Sequence, residues 1–281
     1  MYKDILKMAL IECLILSTVV FAQSSDYQKG YAEVNGIKMY HEIHGTGQPL
    51  VLIHGGGSTI QTSFGNVIPS LSKKYRVIAV ELQAHGRTSD RNAPESFEQD
   101  ADDVAELLNQ LHINHAFIFG FSNGGNTAIQ LAIRHPEKSG KLILASTFYK
   151  REGLYPDFWK GMNNATFKDM PQVYKDEFLK INNNPEALLN MFNKDSNRMK
   201  TFKDWSDDDI KSIKVPVLIV IGDQDIVRPE HAVEMYRLFP HARLLILPGR
   251  HGEYLGEIMF AQRNKFHPDI IVSLVENFLS N

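Results

Sequence analysis

A chain of 281 residues that is 43% hydrophobic and 22% charged has the make-up of an ordinary globular protein, one core with room for an inserted subdomain. Its formal net charge of -3 lacks the basic excess of a nucleic-acid or polyanion binder, so no nucleic-acid partner is expected. The single cysteine, Cys13, rules out an intrachain disulfide.

Lys3 and Lys7 precede a mostly apolar run from Met8 to Ala22, and the small residues Val20 and Ala22 stand just before the polar Gln23-Ser24-Ser25-Asp26. That is the pattern of a secretory signal, residues 1–22, cleaved after Ala22, and the mature chain is expected to be secreted or periplasmic. The run is short for a membrane span and Glu12 interrupts it, so no membrane association is expected after cleavage. Asp4 and Glu12 depart from a clean signal, which keeps an uncleaved anchor or a peripheral helix open as the alternative. Cleavage would also remove Cys13, leaving no thiol nucleophile and a stability that rests on the core alone.

In chain order, residues 31–34 and 37–43 flank Asn35-Gly36 and are predicted to form a β-hairpin. Residues 50–53 lack polar alternation, as a strand covered on both faces does, and run into His54-Gly55-Gly56-Gly57. Residues 77–80 form another strand, followed by a loop from Glu81 to Ser89. Ser96 and Gln99 read as a capping box opening a helix, with Ala101, Val104, Leu108 and Leu111 along one stripe. A strand over 116–119 leads through Gly120-Phe121-Ser122-Asn123-Gly124-Gly125 into a helix that stops at His135-Pro136.

After a strand over 142–145 the character changes. From about residue 148 to 212, aromatics and methionines such as Phe148, Phe158, Trp159, Met162 and Met170 mix with Asn, Lys and Asp, and helical spacing shows at Ala187, Leu188, Met191 and Phe192. This predicts a helical cap insertion, whose apolar residues suit the lining of a pocket and the covering of the main domain equally. The strand rhythm returns at 217–221, ahead of Gly222-Asp223-Gln224-Asp225 and a helix opened by Pro229. A strand over 244–247 leads to Pro248-Gly249-Arg250-His251, and Pro268 starts the last helix. Buried strands alternating with amphipathic helices after an antiparallel hairpin predict an α/β fold. Its central sheet is mostly parallel, with helices on both faces, in a single domain over residues 23–281.

The chemistry gathers around Ser122. Glycines two residues either side let a strand and a helix approach closely about a sharp turn that presents the hydroxyl above the sheet. In an open parallel sheet, functional groups collect at the carboxyl ends of strands, and three such ends carry Ser122, Asp225 and His251 in that order. Together with His54-Gly55-Gly56 and the Glu81 to Ser89 loop, this pattern resembles the α/β-hydrolase fold superfamily, specifically its serine-nucleophile members of esterase and non-haem haloperoxidase type. The resemblance implies a nucleophile at Ser122, a general base at His251 and an orienting acid at Asp225. It implies an oxyanion hole from the backbone amides of Gly56 and Asn123. The expected activity is that of a serine hydrolase on a small ester, thioester or lactone, a small-molecule substrate, with no cofactor and no metal. A carbon–carbon bond hydrolase, a cofactor-free perhydrolase, an acyltransferase and a slow-turnover ligand sensor stay open on the same residues.

Each assignment has a rival. Asp223 could be the acid, with the other aspartate closing the loop; in similar hydrolases the acid follows the glycine by three residues, which favours Asp225. His231 lies within a predicted helix, His241 precedes a strand and His267 precedes the last helix, so His251 is the histidine that follows a strand end. His54 and His85 precede glycines in tight loops and read as structural, with His85 retained as a residue that could line the site. Strand alternation splits His41 from Glu42 and His44, which argues against a metal set. Gly55-Gly56-Gly57 lacks the Lys-Ser/Thr of a phosphate loop, and Asn164-Ala165-Thr166 matches a glycosylation acceptor. Two positions depart from the Asp-x-x-Gly-x-Gly-x-Ser loop of the family, with Glu81 for Asp and Ala84 for Gly.

Overall fold

The computed structural model describes residues 27–260 and 268–281; the expected export signal, Cys13 and His267 lie outside them. Asn35 and Gly36 both take positive φ, 45° and 85°, the turn that matches the twist of its flanking strands, and β1 (Tyr27–Val34) folds back on β2 (Ile37–His44). Then follow β3 (Gln48–Ile53), β4 (Tyr75–Val80), β5 (Ala116–Phe121), β6 (Ser139–Ala145), β7 (Val217–Gly222) and β8 (Ala242–Leu247). They form an eight-stranded sheet in the order β1-β2-β4-β3-β5-β6-β7-β8. β1–β2 and β2–β4 pair antiparallel, and every pair from β4–β3 to β7–β8 is parallel.

Between β3 and β4 lie two short helices, α1 (Ile60–Phe64) and α2 (Ile68–Leu71). Then come α3 (Phe97–Gln110) before β5 and α4 (Asn123–Arg134) after it. Between β6 and β7 the chain runs through α5 (Pro156–Asn164), α6 (Gln172–Ile181), α7 (Pro185–Thr201) and α8 (Asp207–Ser212). α9 (Pro229–Leu238) separates β7 from β8, and α10 (Pro268–Ser280) closes the chain. Among the described residues no helix is long and apolar enough to cross a membrane.

Alternation along the strands divides the core in two. Val51, Ile53, Ile78 and Val80 pack with α3, α4 and α9 on one face. Leu50, Leu52, Val77 and Ala79 pack with α1, α2 and α10 on the other. The helices between β6 and β7 carry a small core of their own from Met170, Phe178, Leu188 and Met191.

One local expectation needs correcting. The Ser96 hydroxyl accepts from the Gln99 amide at 3.1 Å, but the Gln99 side chain turns to Asp103 instead of reaching back, so the box is half formed. Leu111 lies just past the end of α3 as its C-cap, half-buried but packed against the same core as Ala101, Val104 and Leu108.

Candidate active site

The turn after β5 is built around one strained residue. Ser122 takes φ 53° and ψ -123°, a conformation that costs a residue with a Cβ about 1–3 kcal/mol. Its amide donates to the Ala145 carbonyl at 2.8 Å, which ties the turn to the end of β6. The flanking glycines have steric reasons: a Cβ on Gly120 would meet the Gly124 carbonyl oxygen at 2.2 Å, and one on Gly124 would meet that of Ile53 at 2.0 Å. Ser122 occupies the N-cap position of α4 without spending its hydroxyl on the helix. That hydroxyl lies 3.0 Å from His251 Nε2.

His251 sits in the loop after β8, and its Nδ1 lies 2.7 Å from Asp225 Oδ1. The carboxylate accepts, so Nδ1 carries the proton and Nε2 is left to accept from Ser122. Asp225 is buried at the end of β7, with the Val227 amide on Oδ1 at 3.2 Å and the Ser146 hydroxyl on Oδ2 at 2.5 Å. Burial opposes ionisation there, but His251, Ser146 and the Val227 amide outweigh it and hold the carboxyl below its ordinary value. The buried Tyr254 hydroxyl lies 2.6 Å from Ser146. Because Ser146 gives its proton to Asp225, Tyr254 is the donor in that contact.

After β3 the chain makes the turn His54-Gly55-Gly56-Gly57. His54 is fully buried, with Nδ1 donating to the Gly55 carbonyl at 2.7 Å and Nε2 accepting from the Leu82 amide at 3.1 Å. Burial, and then the charge of neighbouring His85, push His54 down to about 3. Gly56 lies against the first residue of α4: a Cβ there would stand 2.4 Å from Asn123 Nδ2. Among the described residues neither the Gly56 nor the Asn123 backbone amide donates to a protein acceptor. The Gly57 amide is taken by Asp195 of α7 at 2.5 Å.

Ser122 and His251 open into a cavity of about 270 Å³ beneath the helices between β6 and β7. Phe148, Phe158, Met162, Met170, Phe192 and Met199 contribute to its walls, and no lysine or arginine among the described residues lines it.

The rival residues lie elsewhere. Asp223 accepts from the Gly249 amide at 2.9 Å and closes the loop. His231, inside α9, stacks on Tyr149 with ring centroids 4.9 Å apart, and His241 stands just before β8. Glu42 and His44 meet at 2.9 Å on one strand face, apart from His41. His85 does not reach the cavity; it is buried against Asp195, which does. The two departures in the loop after β4 have structural consequences. Glu81 accepts from both the amide and the guanidinium of Arg87, each at 2.6 Å, and Ala84 takes φ 62°, a conformation that favours glycine.

Three residues of the site carried no motif: Ser146, Tyr254 and Asp195. Ser146 directly follows β6, and the strand-end rule already applied to Ser122 and Asp225 was a signal for it. Tyr254 and Asp195 had none.

A family model of the alpha/beta hydrolase fold matches residues 48–190 of this chain. The 2-hydroxymuconate semialdehyde hydrolase of Pseudomonas sp. (strain CF600) is 39% identical over 114 residues, 39% of this chain and 40% of that protein. The chain thus matches about two fifths of the length of that curated relative. Among solved structures, a serine hydrolase involved in carbazole degradation, the CarC enzyme, superposes with a TM-score of 0.73 at 22% identity, over 90% of this chain and 99% of that one. The enol-lactonase of Burkholderia xenovorans LB400 gives 0.68 at 22% identity, over 89% and 100%. At these identities the structural likeness speaks to the fold.

Proposed function

The chain belongs to the α/β-hydrolase fold family, and from that premise we propose that it is a serine hydrolase that cleaves a small ester, thioester or lactone through an acyl-enzyme. The observation that carries this reading is the continuous chain of contacts from Ser122 to His251 at 3.0 Å and on to Asp225 at 2.7 Å, at the mouth of an apolar cavity. Ser122 Oγ attacks the carbonyl carbon while its proton passes to His251 Nε2, and Asp225 stabilises the imidazolium that results. The negative charge on the carbonyl oxygen is met by the amides of Gly56 and Asn123. His251 then protonates the leaving group, and a water activated by the same imidazole releases the acyl group. The test compares the native protein with Ser122→Ala on short-chain p-nitrophenyl esters and with a fluorophosphonate probe. Esterase activity and labelling lost together in the variant support the reading; equal activity of the two proteins rejects it.

A second reading, hydrolysis of a carbon–carbon bond, is favoured by the 2-hydroxymuconate semialdehyde hydrolase relative. The substrate in that name carries a carboxylate, and a buried carboxylate needs a cation or a set of donors beside it. Among the described residues the cavity wall offers no lysine or arginine, and its Asp195 is already paired with His85 and Arg198. This supports a neutral substrate. Turnover of a dienoate faster than of a neutral aryl ester of similar size would reverse the order of the two readings. We further propose, from residues 1–22, that the protein is exported; N-terminal sequencing of the mature chain from its native host tests this, with Gln23 as the expected first residue.

A further inference from the structure

We infer that Asp195 is a positioning residue for the oxyanion turn: from the overlying helix α7, its carboxylate fixes the Gly56–Gly57 peptide and so pins from the far side the Gly56 whose own amide His54 turns toward the site. The inference rests on the serine-hydrolase reading above and adds to it a role for a residue far from the triad in sequence.

Three consecutive glycines, the last at φ 65°, have no side chains of their own to hold a conformation. In a trans peptide the carbonyl and the following N–H point in opposite directions. His54 holds the Gly55 carbonyl at 2.7 Å, so the Gly56 N–H of that same peptide is turned the other way. The next peptide is held by its other end, where Asp195 Oδ2 accepts from the Gly57 amide at 2.5 Å. Gly56 is the hinge between two fixed planes, one fixed from the core and one from α7.

Asp195 is itself held firmly. Arg198 binds Oδ1 and donates at 2.6 Å to Asp100 of α3 through its other terminal nitrogen. His85 Nε2 lies 2.9 Å from Oδ2, while its Nδ1 lies 2.8 Å from the Gln83 carbonyl, which can only accept. With a carboxylate on one side and a carbonyl on the other, both ring nitrogens carry protons and His85 is an imidazolium. Burial disfavours the Asp195 charge, yet the two cations outweigh it and hold the carboxyl below its ordinary range. An ionised, immobilised acceptor is what a strong bond to one backbone amide requires.

A role confined to fastening α7 to the sheet would make Asp195 equivalent to its neighbour Lys194, which ties the same helix to Asp90 at 2.6 Å and to the Ala93 carbonyl at 2.7 Å. The experiment therefore compares the native protein, Asp195→Asn, Lys194→Ala and Ser122→Ala on one neutral aryl ester, with an alkyl boronic acid as transition-state mimic. Asp195→Asn is expected to lower kcat on the order of 10- to 100-fold, the scale for a displaced oxyanion donor, with KM within about threefold. Boronic-acid affinity should fall in parallel, while Lys194→Ala keeps kcat within about twofold. Native kcat in Asp195→Asn, an equal loss in Lys194→Ala, or unchanged boronic-acid affinity each overturns the inference. If Asp195→Asn does not fold by circular dichroism, the native protein decides by NMR. A downfield, slowly exchanging Gly57 amide proton is expected, and a fast-exchanging one at an ordinary shift overturns the inference. Full activity in Ser122→Ala sinks the underlying reading, whereas an inactive Ser122→Ala beside a fully active Asp195→Asn sinks this inference alone.

Discussion

The Ser146 hydroxyl donates to Asp225 Oδ2 at 2.5 Å, leaving Oδ1 for His251. Both oxygens of the carboxylate are thereby engaged, and its orientation toward the imidazole does not depend on His251 alone. Tyr254 sits behind Ser146 as donor, one bond further from the chemistry.

Ser146→Ala is expected to lower kcat roughly tenfold with KM little changed, the consequence of losing one hydrogen bond to a charged group, about 1.5 kcal/mol. Tyr254→Phe, acting through Ser146, should cost less, about twofold. Steady-state kinetics on a neutral aryl ester check both. A larger loss in Tyr254→Phe than in Ser146→Ala would show that the order of this relay is wrong.

Stability and activity should separate at the proposed nucleophile. Ser122 holds a positive-φ conformation because the sharp turn after β5 requires it, and only glycine reaches that region without a Cβ penalty. Ser122→Gly is expected to abolish esterase activity while raising thermal stability by about 1 kcal/mol relative to Ser122→Ala. Calorimetry on the two inactive variants makes the comparison, and a lower Tm for the glycine form would mean the strain is not there.

Much of this arrangement was legible because it leaves punctuation in the chain. Asn35-Gly36 marks the hairpin, and Gly120, Gly124 and Gly222 mark places where backbones nearly touch. Ser122, Asp225 and His251 each follow a short apolar run, and a parallel sheet brings the carboxyl ends of such runs to one rim. Helices α1 and α2, at five and four residues, are too short to show a period, and the half-formed box at Ser96 depends on where one glutamine side chain turns. Asp195 was invisible for a deeper reason. An aspartate with an arginine three residues on reads as a solvated pair on a helix surface. What holds it is contact with Gly57 and His85, 138 and 110 residues earlier in the chain, and no local pattern encodes that.

The close approach at Gly124 has a direct cost if filled. A methyl group there would press on the Ile53 carbonyl at 2.0 Å and that of His54 at 2.5 Å, backbone atoms at the end of β3 that cannot move aside singly. Gly124→Ala is expected to lose about 3 kcal/mol in urea unfolding, at the upper end for overpacking, and to lose activity with it because the proposed oxyanion turn starts at His54. A loss below about 0.5 kcal/mol would contradict the tight fit of α4 on β3.

The buried charges around His85 set the alkaline side of the stability profile. Burial works against the His85 charge, but Asp195 more than offsets it and pushes the imidazole up to about 9. An unfolded histidine titrates near 6.5, so between the two values the folded chain holds a proton that the unfolded chain has released. The contribution is fully present below about 6.5 and is lost as pH rises through about 9. The groups facing His85 do not reverse the sign. Asp195 of α7 is held ionised and Arg198 stays charged, while burial keeps His54 neutral in this window. Burial raises Asp100 of α3 and Glu95 above the usual carboxylate range, and a carboxyl raised on folding also loses stability as pH rises, so neither opposes the trend. Urea unfolding between pH 7 and pH 9 should show stability falling with pH, with His85 alone supplying up to about 1.4 kcal/mol per pH unit. His85→Gln keeps a donor toward Asp195 but cannot titrate, and its profile should be flatter by that amount over the same range. An identical slope in the variant would mean that His85 is neutral in the folded protein, with one of its two ring nitrogens unprotonated.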